Sequence, residues 1–165
     1  MTTPASSTSA SLVRRLRERV SDPMLFTDEL HSLGPNAPAD PETLAQVEEG
    51  LGLRLPDLLR QIYLEVGDGN WGPGYGLLPL KGESYASSAG SLLDESRATG
   101  TPGQVFLCYW GCTVFSVLDS ASGRVGIVDV GTECSDQVSW QASSVEEWFE
   151  AWLSGKNLFF DVEDA

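Results

Sequence analysis

Apolar positions along the chain follow two regimes. Up to about residue 66 they recur at helical spacing. Leu12, Leu16 and Val20 stand at i, i+4 and i+8 and predict a first helix over about Ser11–Val20. Met24 to Leu33 is expected to form a second short helix, stopped by Gly34-Pro35, with 34–39 as a loop. Asp40 then caps a third, Pro41 suits its first position, Leu44, Val47 and Leu51 form its stripe, and Gly50 and Gly52 close it. Pro56 opens another, whose broad stripe is Leu58, Leu59, Ile62, Tyr63 and Val66, and Gly67 stops it.

After that the pattern changes to glycine loops and β-type runs. Residues 67–76, Gly-Asp-Gly-Asn-Trp-Gly-Pro-Gly-Tyr-Gly, read as a loop, and Leu77–Leu80 as a short strand. Ser84 to Ser96 fits a helix without excluding a loop. Val105–Trp110 and Cys112–Asp119 are rich in β-branched and aromatic residues, as half-buried strands are, with Gly111 read as a bulge between them. Ser120–Gly123 has turn chemistry, and Arg124–Val130 reads as the returning strand of a hairpin. Ser144 with Glu147 forms a capping box for a last helix carrying Val145, Trp148, Phe149 and Trp152, with Gly155 as its stop. Helices first, antiparallel strands next and a helix last make an α+β fold, with N-terminal helices packed on a central, mostly antiparallel sheet and a C-terminal helix. Residues 1–10 read as a disordered tail and 11–165 as one domain.

Composition narrows the functional classes. The chain of 165 residues is 41% hydrophobic and 21% charged, as globular domains are. It shows neither the apolar run of roughly 18 residues that crosses a bilayer nor a secretory leader, so a cytoplasmic location with no membrane partner is expected. The formal net charge of −14 is unevenly spread. Residues 12–20 hold Arg14, Arg15, Arg17 and Arg19 against Glu18, leaving six bases against 23 acids, a net −17, from residue 21 onward. Such a body repels phosphate and attracts cationic partners. No nucleic-acid partner is expected. The arginines of the first helix read chiefly as its solvated face.

Catalytic motifs weigh little. Gly67-x-Gly69-x-x-Gly72 matches the dinucleotide fingerprint only in spelling, because it follows a helix and runs into more glycine and proline. His31 stands alone. Cys108, Cys112 and Cys134, even joined by His31, lack the paired knuckles of a zinc site and read as reduced, mostly buried thiols. Asp119, Asp129, Glu133 and Asp136 flank the hairpin and would, if they converge, suit a basic surface better than catalysis. No metal, cofactor or catalytic residue is assigned. A monomer or weak dimer is expected.

Between 40 and 155 the residues carry a resemblance. Val47-Glu48, Leu51-Gly52, Leu55-Pro56, then a helix ending in Gly67-Asp68-Gly69-Asn70-Trp71-Gly72-Pro73, resemble the SUKH superfamily and, within it, the Smi/Knr type. Members carry an acid in the first of these helices, Leu-Pro before the second, and an Asn-Gly-Gly-aromatic-Gly-Pro loop. Glu48, Leu55, Pro56, Gly67, Gly69, Gly72 and Pro73 fit that frame as structural positions, while Asp68 replaces the usual Asn and Asn70 the second Gly. Leu107-Cys108-Tyr109-Trp110-Gly111-Cys112 is similar to a Cys-Asp-Trp-Gly-Cys strand of one bacterial branch, with Tyr109 in place of its acid, and Glu146-Glu147-Trp148 is also familiar. The resemblance implies the family's α+β arrangement, a Glu48 that caps or pairs with loop backbone, and a binding role. Bacterial members are predominantly immunity proteins that neutralise toxins, often nucleases or deaminases; the eukaryotic members imply a regulatory or scaffolding module as the alternative. On that reading Asp68, Asn70, the aromatics Trp71, Tyr75 and Trp110, taken as exposed, and the acids Asp119, Asp129, Glu133 and Asp136 are the residues expected to meet a basic protein partner.

Overall fold

Most of the periodic segments fold as helices, two of them behind a side-chain cap. In the computed structural model, which describes residues 7–29, 34–82, 89–98, 101–132 and 137–159, α1 spans Ser7–Val20 and so begins earlier than its apolar spacing marks. Helix α2, Pro41–Leu51, has the expected Asp40 cap, whose carboxylate accepts from Thr43 N at 2.7 Å, and ends on Gly52 at φ 72°. Helix α3 is Asp57–Glu65, and α4, Leu92–Ala98, settles the C-terminal part of the ambiguous stretch, most of whose N-terminal part lies outside the described residues. Helix α5, Val145–Leu153, starts at Ser144, whose hydroxyl accepts from Glu147 N at 3.1 Å; Glu147 reaches back to Ser143 N and Oγ rather than to the cap itself.

Two expected elements are absent as such. Residues 22–29 are turns, not the start of a helix. Asp22 caps Met24 N at 3.0 Å beside Pro23, and the segment is drawn into the glycine loop by Gly72 N to Phe26 O (2.7 Å) and Glu29 N to Gly74 O (3.1 Å). The rest of that expected helix, 30–33, lies outside the described residues. Leu77–Leu80 is not a strand either. It touches the sheet through a single Leu77–Cys108 bridge and Leu78 N to Leu107 O at 2.8 Å, and Pro79, with no N–H to give, ends the pairing.

Strands β1 (Gln104–Gly111), β2 (Val114–Asp119), β3 (Val125–Asp129) and β4 (Ser139–Ala142) form an antiparallel sheet in that order. Strand β4 is an element the sequence reading did not mark. The register of β1 on β2 slips between Tyr109 and Gly111, so the expected bulge falls on Trp110, and the chain reverses at once through Cys112-Thr113. Cys112 there has φ 53°.

Helix α1 packs on α3 and α5, and α4 on β1 and α2. The core is one cluster that joins helices and sheet, with Trp71, Trp148, Phe149 and Trp152 at its centre, each at most 1% exposed. Trp71 lies 5.7 Å from Phe149 in a stacked pair and 6.2 Å from Trp152. Its burial is what anchors the glycine loop, since a side chain of this size removes well over 100 Å² from water.

Candidate functional site

The glycine loop is a scaffold element, built from backbone that few residues other than glycine can adopt. Gly69 sits at φ 84°, and a Cβ there would lie 2.6 Å from Pro79 N. Asn70, at φ 63°, occupies a left-handed position that Asn tolerates better than most residues, so it replaces a glycine at little backbone cost. Its N–H reaches Leu77 O at 2.9 Å and its side-chain amide Asn36 Oδ1 at 3.3 Å. Trp71 points its indole N–H at Gly67 O, 3.0 Å away. The expectation that Asn70 and Trp71 face a partner is therefore corrected. They are 2% and 0% exposed, because the loop turns them inward onto α5 and the 34–36 segment.

Asp68 is half-buried and accepts from Leu80 N at 2.8 Å; burial pushes its carboxyl above the ordinary aspartate value, against that hydrogen bond. Glu48 pairs with backbone, but with that of the 52–56 connector rather than of the glycine loop. One oxygen accepts from Leu55 N at 2.7 Å, the other from Arg60 Nε at 3.2 Å, and this ties the 52–56 connector to α2 and α3. Tyr63 OH donates to Leu78 O at 2.6 Å from a fully buried position that raises the phenol well above its ordinary value. These three polar groups are used by the fold.

The hairpin acids do not gather. Asp119 folds over the β2–β3 turn, accepting from Ser122 Oγ at 2.6 Å and Ala121 N at 3.3 Å. Asp129, opposite Val114, holds Gly131 N at 3.0 Å and the Thr113 hydroxyl, and these bonds keep it below the ordinary carboxylate range. The two stand at opposite ends of β2, about 17 Å apart at the usual strand rise. Glu133 and Asp136 lie outside the described residues, as do His31 and Cys134. The cysteines divide: Cys108 is buried, which pushes its thiol up to about 12 and leaves it protonated and unreactive, whereas Cys112 is exposed at the turn, not on a face shared with Cys108. Among the described residues, no three histidine, cysteine or acidic side chains come together as metal ligands.

Of the expected aromatics, Tyr75 and Trp110 are both partly buried against the core, Tyr75 beside Tyr109 (5.6 Å). Trp110 opens onto a cleft of about 530 Å³ between the α1 end, α5 and the residues after it. Arg19 and Asp28 form its polar floor. The Arg19 guanidinium lies 3.6 Å over the Trp152 ring, donates to Trp152 O at 2.6 Å and Leu25 O at 3.0 Å, and faces Asp28 at 3.8 Å; burial holds it below the ordinary arginine value, against the pull of Asp28. Asp28 also accepts from Trp152 Nε1 and Gly74 N, both at 3.0 Å. Glu29, Lys156 and Phe159 complete the rim. None of these except Trp110 was picked from sequence. Arg19 and Asp28 meet Trp152 across 133 and 124 residues of chain, and only the three-dimensional fold brings them together.

No helix among the described residues is long and apolar enough to cross a membrane. No curated protein matches the chain. Its helix–glycine loop–antiparallel sheet–helix order is what the resemblance led us to expect, and the sequence model of the SMI1 / KNR4 family (SUKH-1) matches residues 38–151, well over half of the chain; the chain belongs to that family.

Proposed function

We propose that this chain is a non-catalytic protein-binding module of the cytoplasm, and that it is an immunity protein that binds and neutralises a cationic toxin domain of the nuclease or deaminase class. The observation that carries the reading is the distribution of unpaired charge. Arg14, Arg15, Arg19, Arg54 and Arg60 are each matched with an acid. Glu29, Glu42, Glu49, Glu65, Asp94 and Glu146 are exposed and take part in none of those pairs. With five of the ten bases so paired against 24 acids in the chain, the surface is net anionic, which speeds the approach of a basic domain and disfavours acidic partners. A nuclease is basic where it grips phosphate, and carboxylates fit that groove.

The test is to identify a nuclease or deaminase toxin encoded next to its gene and to co-express the two. Restored growth and a stoichiometric complex on size-exclusion chromatography support the reading. Continued killing with no complex removes it, and several weak partners with no toxin among them would favour a scaffolding module instead.

A further inference from the structure

The cleft at the end of α1 does not stand alone. Phe159, which lines it, also lines a second hollow of about 330 Å³ together with Val114, Ile127, Asp129 and Ser139 of the sheet. The exposed large hydrophobics among the described residues are Met24 at 67%, Leu25 at 47%, Phe159 at 38% and Val130 at 37%. All four border these two hollows. Phe159 is common to both, the carbonyl of Leu25, next to Met24, holds Arg19 of the first, and Val130 follows Asp129 of the second. They trace one apolar strip from the end of α1 to the end of β3.

The strip is held in shape from beneath. The Gln141 amide donates to Leu158 O at 2.7 Å, and Leu158 is buried, so the chain is clamped one residue before Phe159. The Phe159 ring packs on Trp110 at 5.6 Å, and Trp110 is itself fixed by its indole N–H, which donates to the buried Ser116 Oγ at 2.8 Å. Folding has already ordered these groups, so little rotamer freedom is left to lose on association. Apolar area held rigid at the surface is the mark of an interface.

Charge says what covers it. A chain with a net charge of −14 repels its own copy, so self-association is confined to a patch whose charges balance. In the first hollow they do, with Arg19 and Lys156 against Asp28 and Glu29. Arg19 and Asp28 are used within the chain, by each other and by Trp152. Lys156 and Glu29 are exposed and in none of the ion pairs among the described residues. They stand on different segments, Glu29 after α1 and Lys156 after α5. A purely cationic occupant meets Lys156 and a purely anionic one meets Glu29. A two-fold interface answers both, because each residue there contacts its counterpart on the other copy in both directions. We infer that the strip is where the chain pairs with a second copy of itself. Phe159 and Met24 are covered in the dimer, and each Lys156 meets the partner's Glu29. The unpaired acids of α2 and α3 line neither hollow, and the pairing does not depend on the toxin reading.

Sedimentation equilibrium of the full chain, at about 150 mM salt to shorten the reach of the repulsion, reads the association. A weak dimer is expected as the concentration is raised toward about 1 mM. Glu29→Lys and Lys156→Glu, both on exposed side chains, should each weaken it about a hundredfold, because two-fold symmetry applies the like-charge contact twice. The double variant carrying both substitutions keeps the net charge and should dimerise as the natural chain does. Net charge alone predicts otherwise, since Glu29→Lys makes the chain less acidic and would strengthen pairing limited only by repulsion. Lys81 is exposed and lies off the strip, 3.0 Å from Gln46 of α2. Lys81→Glu makes the same charge change as Lys156→Glu and should leave most of the dimer. A natural chain that stays monomeric to about 1 mM would give the strip to an unlike partner and overturn the inference. So would a dimer unaffected or strengthened by Glu29→Lys, one weakened as much by Lys81→Glu as by Lys156→Glu, or a double variant no better than either single one. No toxin enters these measurements, so their failure leaves the proposed function standing.

Discussion

Single residues in the glycine loop are set by space as much as by charge. At Gly69 the positive φ would cost a side chain about 1–2 kcal/mol, and the Cβ would press on Pro79 N and Leu77 O, both rigid backbone. Overpacking of that kind adds about 1–3 kcal/mol. Gly69→Ala should therefore lose about 2–5 kcal/mol, seen as a lower urea midpoint at constant slope; a midpoint within error of the natural chain would show that the loop is not held as described. Asp68 makes the opposite case. Burial raises its folded value above its unfolded one, so its contribution favours folding most when the group is protonated and is lost as pH rises through the raised value. Asp68→Asn keeps an acceptor for Leu80 N and carries no charge to desolvate. The variant should be modestly more stable than the natural chain at pH 7, and the gap should close on acidification through the aspartate range. Paired denaturation curves at both pH values would check this, and a variant that is weaker at pH 7 would count against it.

At the scale of elements, the β1–β2 hairpin concentrates a conflict that one substitution can relieve. Cys112 is the first residue of a two-residue turn and adopts φ 53°, a region where hairpin turns favour glycine. Its carbonyl, which accepts from Tyr109 OH at 3.1 Å, belongs to the backbone and survives substitution. Cys112→Gly should raise stability by about 0.5–1 kcal/mol, after the extra chain freedom of glycine is counted. An unchanged or lowered thermal midpoint would refute it. The hairpin also shows what a sequence discloses and what it withholds. Caps were legible, because Asp40 with Pro41 and Ser144 with Glu147 act within one turn of chain. That Glu48 would bond backbone was legible, but its place on the 52–56 connector was not, because it depends on how α2 and α3 pack. The 22–29 segment was misread because its apolar spacing is real, but its hydrogen bonds are drawn away by Gly72 and Gly74. Leu77–Leu80 was misread because a buried run and a strand look alike in one dimension. Trp71 was misread because a loop position does not say which way the ring turns. The Arg19–Asp28–Trp152 floor of the cleft depends on contacts that no local pattern encodes.

The whole molecule balances two charge effects that respond oppositely to acid, and their competition places its stability optimum. At neutral pH a net charge of −14 repels itself, over a distance that salt shortens to about 10 Å at 0.1 M. Protonation of ordinary surface carboxylates relieves that repulsion as pH falls, and Asp68 works in the same direction. Against this, Asp40, Asp129 and Glu147 sit below their ordinary values, each chiefly through a hydrogen bond, from Thr43 N, the Thr113 hydroxyl and the Ser143 hydroxyl respectively. A depressed group contributes stability that is complete above its unfolded value and is lost as pH falls through its folded value. The cap on α2, the Glu147 clasp on Ser143 and the turn after β3 are thus intact near pH 5 and are lost only as pH falls through their depressed values, after ordinary carboxylates have begun to take up protons. Thermal midpoints should peak near pH 5 rather than at neutrality. Added salt, about 0.3 M, should raise the midpoint more at pH 7 than at pH 5, because the molecule carries more negative charge at pH 7 and so has more repulsion to screen. A grid of melting curves over pH and salt measures both trends. An optimum at pH 7 or above with no gain from salt would mean that the acidic surface is already neutralised within the fold, and would leave no excess charge with which to draw a basic partner.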